Sequence, residues 1–156
     1  MRVRVATKRD SVGYDTDPPL GTARVGVDTE RAWRTPRMKI YLMRHAHAEE
    51  GDRMDPERPL TKIGKWQADV MQKFVKQAGC KMDLVLTSDF KRGLDTGDYF
   101  RPKKARHVIL KQLRPPENGF EAPDSANAAW VAIHKAIKPD DQHVLVVGHG
   151  PQIHAL

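Results

Sequence analysis

Two short apolar runs, each closing on a histidine, constrain this chain more than any other feature. Residues 39–48 read Lys-Ile-Tyr-Leu-Met-Arg-His-Ala-His-Ala, and residues 143–151 read His-Val-Leu-Val-Val-Gly-His-Gly-Pro. Short, nearly continuous apolar runs bounded by polar and turn residues are the pattern of strands buried on both faces of a parallel sheet. Ligands in open α/β sheets bind beyond the carboxyl ends of the strands. A side chain at such an end is held rigidly and aimed. Arg44 and His45 stand at the first end and His149 at the second, so neighbouring strands would bring both imidazoles to one pocket.

The rest of the sequence alternates between strand and helix patterns. Residues 39–43 form the first strand, and residues 44–60 a polar loop. Thr61 is placed to cap a helix by accepting an early amide. Ile63, Trp66, Val70, Phe74 and Val75 recur at near-3.6 spacing and are expected to be its buried face. Gly79 ends it. Residues 83–87 form a second strand, and residues 88–100 a helix anchored by Phe90, Leu94 and Tyr99 or Phe100. Residues 107–110 form a third strand and residues 113–123 a loop. A helix over 125–137 is expected to bury Ala129, Trp130, Ile133 and Ile137, and residues 143–147 form a fourth strand. This order predicts an α/β fold, a three-layer α/β/α sandwich around a mostly parallel central sheet.

Composition narrows the classes. At 156 residues the expectation is one domain. No apolar run approaches the roughly 20 residues of a membrane helix, and the amino terminus lacks a secretory h-region. A cytoplasmic protein with no membrane partner is expected. Cys80 is the single cysteine, so no intrachain disulfide forms. No Cys/His cluster has metal-ligand spacing, so no metal is expected. The formal charge of +7 favours anionic partners. The basic residues are scattered and not interleaved with aromatics, so nucleic acid is not expected. Residues 1–5 alternate Arg and Val, the pattern of a short strand, and turn formers follow it. Residues 1–37 are expected to be a disordered extension or sequence upstream of a start at Met38, with the folded unit at 38–156.

A third element, Ser88-x-x-x-Arg92-x-x-x-Thr96, follows the second strand. Ser88 is expected to cap the helix. Arg92 lies one turn in, where its guanidinium can give two parallel hydrogen bonds to an anion at the strand ends. A salt bridge to Asp89 or Asp95 is the alternative.

Four motifs in order, Arg44-His45-Ala46-x-Ala48, Arg58-Pro59-Leu60-Thr61-x-x-Gly64-x-x-Gln67-Ala68, Thr87-Ser88-x-x-x-Arg92-x-x-x-Thr96 and Val147-Gly148-His149-x-Pro151, carry a resemblance. Together they resemble the histidine phosphatase superfamily, the phosphoglycerate-mutase-like fold, and within it the SixA-type phosphohistidine phosphatases. The resemblance covers residues 38–156, with the final helix cut short. It implies that His45 attacks phosphorus and becomes phosphohistidine, that Arg44, Arg92 and His149 bind the phosphoryl oxygens, and that Ser88 joins the substrate site. It also implies a contact near Gly64 that fixes the His45 ring, and neither metal nor organic cofactor.

The sequence departs from that pattern at Gln112-Leu113-Arg114-Pro115, where many members carry a Glu as proton donor. General acid catalysis supplies roughly 10²–10⁴-fold. Its loss favours a labile phosphoramidate such as protein phosphohistidine over alkyl esters. Glu49, Asp52, Glu117 and Glu121 are the other carboxyl candidates. Gly93 replaces a usual Ala and implies a looser helix start. The expected partner is a phosphorylated protein or a small phosphorylated substrate, met by a monomer. The alternatives are a phosphatase of small phosphoesters and a catalytically impaired phosphate-binding module.

Overall fold

The structure, a computed structural model, describes residues 3–6, 38–117 and 122–156. Its elements are β1 (Val3–Ala6), β2 (Lys39–Arg44), α1 (Lys62–Gln77), β3 (Leu84–Thr87), α2 (Lys91–Phe100), β4 (Arg106–Ile109), a 3-10 turn (Lys111–Leu113), α3 (Ala122–Ala136), β5 (His143–Gly148) and α4 (Gln152–Ala155). The strands form one sheet in the order β1-β2-β5-β3-β4. All neighbours are parallel except β1, which runs antiparallel along β2 from Val3 opposite Met43 to Ala6 opposite Ile40. The short strand expected at residues 1–5 is therefore present at the sheet edge. Of the extension expected over residues 1–37, residues 3–6 form β1, and residues 1–2 and 7–37 lie outside the described residues.

Strand side chains alternate between two cores, as the period of two requires. Tyr41, Met43, Val85, Leu145 and Val147 pack with Met71 and Val75 of α1 and Phe100 of α2. Ile40, Leu84, Leu86, Val144 and Val146 face the other way, onto Ala129 and Ile133 of α3 and Ile153 of α4. Helices on both faces explain why Leu84–Leu86 of β3 and Val144–Val147 of β5 are apolar without interruption. The α/β/α sandwich stands as expected, and no described helix is long and apolar enough to cross a membrane.

Three local expectations are corrected. The large apolar residues of α1 do not face the core: Ile63, Trp66, Val70 and Phe74 are 45–64% exposed. The helix turns Gly64 and Ala68 inward instead, with Met71 and Val75 below them. A helix seated this closely on a neighbouring backbone needs small residues at the contact, and a Cβ on Gly64 would overlap the His47 carbonyl. Trp130 of α3 is likewise at the surface, while Ala129 and Ile133 are fully buried. Ser88 does not cap a helix, because α2 begins three residues later at Lys91, after Phe90, and has no side-chain cap. Thr61 does cap α1, its hydroxyl accepting from the Gly64 amide at 3.0 Å, and Gly79 (φ +70°) follows the helix end.

The close seat of α1 makes Gly64→Ala costly, by about 3 kcal/mol as for overpacking against fixed backbone. Gly79→Ala, at a positive φ with open space around it, is expected to cost only about 1–2 kcal/mol. Urea midpoints of the two variants compare them directly, and equal shifts would refute the close-approach account of α1.

Candidate active site

Arg44 of β2 pairs with Gly148 of β5 in parallel register. The next residue on each strand is a histidine, so His45 and His149 leave adjacent strand ends side by side. The His45 amide donates to the Gly148 carbonyl at 3.0 Å, and the two rings lie 4.8 Å apart between centroids. Thr87 of β3 pairs with Val147 on the other side of β5. Ser88 thereby reaches His149, its hydroxyl 2.7 Å from Nε2.

His45 Nδ1 lies 2.7 Å from the Ala46 carbonyl. A carbonyl only accepts, so Nδ1 carries the proton and Nε2 keeps its lone pair. Ala46, not Gly64, thus fixes the ring. Gly64 acts one step removed by seating α1 on His47. Burial, then the charges of Arg92, Arg44 and Arg58, pushes His45 down to about 4 and leaves it neutral at physiological pH. Burial, then His45, Arg92 and Arg44, lowers His149 further.

Arg92 is 2% exposed. Its guanidinium lies over Phe90, 4.8 Å from the ring centre. It donates through Nη1 to the Asp55 carbonyl at 2.8 Å and through Nη2 to the Arg53 carbonyl at 2.5 Å. Neither Asp89 nor Asp95 is its partner; these carboxylates pair with Arg114 and Lys91. Burial, then Arg58, lowers Arg92 to about 10, still a cation at neutral pH.

Arg58, quoted in a motif but given no role from sequence, joins the site. Its Nη1 donates to the Gly51 and Asp52 carbonyls, each at 2.8 Å. Three buried nitrogens at this centre, Arg92 Nε, Arg58 Nε and His149 Nδ1, have no hydrogen-bond partner. Leaving such a group unpaired costs about 1–3 kcal/mol, and orphans of this kind gather where a ligand supplies the partner.

A cleft of about 960 Å³ is lined among others by Arg44, His45, Arg58, Glu49 and Glu50. Arg92 and His149 are not in its lining; His149 adjoins it through the His45 ring. The segment after His45 is tied down from two helices: Thr96 Oγ1 accepts the Ala46 amide at 3.0 Å and Gln67 Oε1 accepts the His47 amide at 3.1 Å. Thr96 and Gln67 also stood in the motifs without roles, since only packing reveals what their side chains hold. His47 is exposed, its Nδ1 2.9 Å from the Thr61 hydroxyl. Gln112 lines a second depression with Phe90, Arg114 and Glu117, which adjoins the site through the contact of Phe90 with His149, and its carbonyl accepts from Gln152 at 2.6 Å. Asp52 is used locally, accepting the Met54 amide, and Glu121 lies outside the described residues. The looser helix start expected from Gly93 gives way to a tight one, since a Cβ there would come within 2.6 Å of the Ser88 hydroxyl. No group of three or more His, Cys, Asp or Glu among the described residues forms a metal site.

Several solved structures share this architecture. SixA of Nakamurella multipartitia is 30% identical with a TM-score of 0.59, over 74% of this chain and 61% of that one, so this chain spans under two thirds of its length. The protein histidine phosphatase SixA complexed with tungstate is 23% identical (TM-score 0.56, 74% of this chain and 72% of that one). The α-ribazole phosphatase of Shigella flexneri is 18% identical (TM-score 0.58, 72% and 74%) and shares the fold. No curated protein shows significant sequence similarity to the chain. The profile of the histidine phosphatase superfamily (branch 1) matches residues 40–119, more than half of the chain, with the first histidine motif, the Arg58 loop, α1 and the Ser88–Arg92 segment inside the match. This protein belongs to the histidine phosphatase superfamily.

Proposed function

We propose that this chain is a phosphatase that removes the phosphoryl group from phosphohistidine on a protein, with His45 as the nucleophile. The observation that carries the proposal is a neutral imidazole with its Nε2 lone pair available, at a strand end among three guanidinium groups. Nε2 attacks phosphorus, a new P–N bond forms and the substrate's own P–N bond breaks. The substrate imidazole, protonated on its far nitrogen, departs as a neutral ring. Water then attacks phosphorus, releasing phosphate and returning His45 with Nδ1–H still on the Ala46 carbonyl. Splitting the displacement in two lowers each barrier.

Arg44, Arg92 and His149 bind the phosphoryl oxygens, and Arg58 adds a third guanidinium. The partnerless nitrogens of Arg92, Arg58 and His149 are the donors such oxygens would satisfy. Transfer of this kind depends on positioning and charge stabilisation. Ser88 is buried behind His149 and acts through it by orienting the ring. Gln112 has no acidic proton to give, which favours a leaving group that needs no enzyme acid, and a cleft of this size admits a protruding side chain.

One observation favours a second reading, a phosphatase of small phosphoesters: Glu49 and Glu50 line the cleft beside His45 and could protonate an alkoxide. Turnover of phosphohistidine and nitrophenyl phosphate separates the two. Equal kcat/KM values that fall together in Glu49→Gln or Glu50→Gln would establish the ester reading instead.

His45→Ala is expected to lower phosphohistidine hydrolysis by at least about 10³-fold, in line with loss of a nucleophile, and to abolish the acid-labile phosphoenzyme trapped by rapid quench. A variant that still labels would exclude His45. Arg58→Ala removes a charged donor worth about 1.5–3 kcal/mol, so the inhibition constant of inorganic phosphate should rise roughly 10- to 100-fold. An unchanged constant would place Arg58 outside the phosphate site.

The pH dependence has a definite sign. Only unprotonated His45 attacks, and its value is lowered to about 4. The acid limb of kcat/KM, which reports the free enzyme, should therefore fall near pH 4, with a plateau through pH 5–7 once substrate ionisation is accounted for. A limb near the ordinary histidine value of about 6.5 would contradict the effect ascribed to burial and the arginines.

A further inference from the structure

We infer that the exposed apolar stripe of α1 is a docking ridge for an acidic amphipathic helix of the phosphorylated protein, an inference that rests on the protein-substrate reading above. Ile63, Trp66, Val70 and Phe74 are 59%, 64%, 45% and 64% exposed. At about 100° per residue they form one line, roughly 16 Å long. No described element covers them. The helix is apolar on two faces: Gly64, Ala68, Met71 and Val75 bind the sheet side, and the large residues stand roughly a third of a turn away.

Charge selects the occupant. Lys62 and Lys73, eleven residues apart, border the stripe on its outer flank, with Lys65 and Lys76 behind them. Asp69 is the single acidic residue of α1 and pairs with Lys73 at 2.7 Å. A second copy of this chain, packed antiparallel, would set Lys62 and Lys65 against Lys73 and Lys76, with a formal +7 on each molecule. A helix with apolar residues along one face and Glu or Asp beside them meets both the stripe and the lysines.

Position selects the purpose. The inner flank of the stripe is Gln67, which lines the cleft and accepts the His47 amide. The amino-terminal end of α1 is locked to the nucleophile segment: the Thr61 amide donates to the His47 carbonyl at 3.1 Å, and Gly64 rests on the same carbonyl. A partner seated on the ridge is therefore held at a fixed offset from His45, with its phosphorylated side chain able to enter the cleft.

The test uses the full chain and two synthetic amphipathic peptides with apolar residues at i, i+3, i+7 and i+11, one flanked by Glu and one by Lys. Each is prepared with a histidine, plain or phosphorylated. Calorimetry with the unphosphorylated peptides reads docking independently of catalysis, so it stands even if no phosphohistidine is turned over. The Glu peptide should bind, and the Trp66→Ser/Phe74→Ser variant should bind it at least tenfold more weakly. Lys62→Glu/Lys73→Glu should reverse the preference toward the Lys peptide. For the phosphorylated Glu peptide, Trp66→Ser/Phe74→Ser should raise KM about tenfold and leave kcat, and hydrolysis of free phosphohistidine, unchanged. Equal binding of both peptides, or binding indifferent to the serine substitutions, overturns the inference. So does sedimentation showing a dimer that Trp66→Ser/Phe74→Ser dissociates, which would make a second copy the occupant.

Discussion

The parallel register between β2 and β5 is the constraint on which the rest of the site depends. Arg44 opposite Gly148 makes the next residue on each strand a histidine, and the backbone hydrogen bond from His45 to Gly148 closes the ladder where the chemistry begins. A slip of one residue would turn every strand side chain to the other face. It would separate the imidazoles and exchange the residues of the two cores, in which Val144 through Val147 are each at most 1% exposed. The hydrophobic cores on the two faces of the sheet therefore hold the geometry of the site. Ser88 enters by the same means, because β3 is in register with β5 on its other side.

Around that pair, the chain satisfies the backbone and leaves the charged groups short of partners. The segment after His45 is tied by Thr96, Gln67, Thr61 and the close seat of Gly64. The loop that follows is closed by a bridge between Ala48 and Leu60, and its carbonyls take the guanidinium groups of Arg92 and Arg58. Cations held by neutral carbonyls keep their full charge. Both histidines respond by staying neutral, since burial and surrounding positive charge each oppose protonation. Such a centre is arranged for an anion, and it leaves His45 unprotonated at ordinary pH.

Much of this was legible in the sequence. Continuous apolar runs announced buried parallel strands, and the matched histidines at residues 45 and 149 announced the site, because strand ends and side-chain period follow from local pattern alone. The motif spacing singled out Arg92 but set it one turn into its helix, whereas it is the second residue of α2, which begins only at Lys91. Helical periodicity misled at α1, where Ile63, Trp66, Val70 and Phe74 form a valid amphipathic stripe. The period identifies a stripe but not the surface it meets. Gly64 and Ala68 won the inner face because only small residues permit the approach to the His47 carbonyl. Ser88 looked like a cap because Ser commonly caps helices; its hydroxyl instead meets an imidazole 61 residues away.

By itself the sequence determined the α/β alternation, the strands, and the identity of the histidines and arginines that meet at one edge, since these depend on local hydrophobic pattern and order along the chain. Only the tertiary structure decided that Ala46 fixes the His45 tautomer, that Arg58 joins the cations, and that no described element covers a large apolar face of α1. Those outcomes depend on distances between segments far apart in the chain, and on which of several competing contacts excludes the others once the sheet has closed.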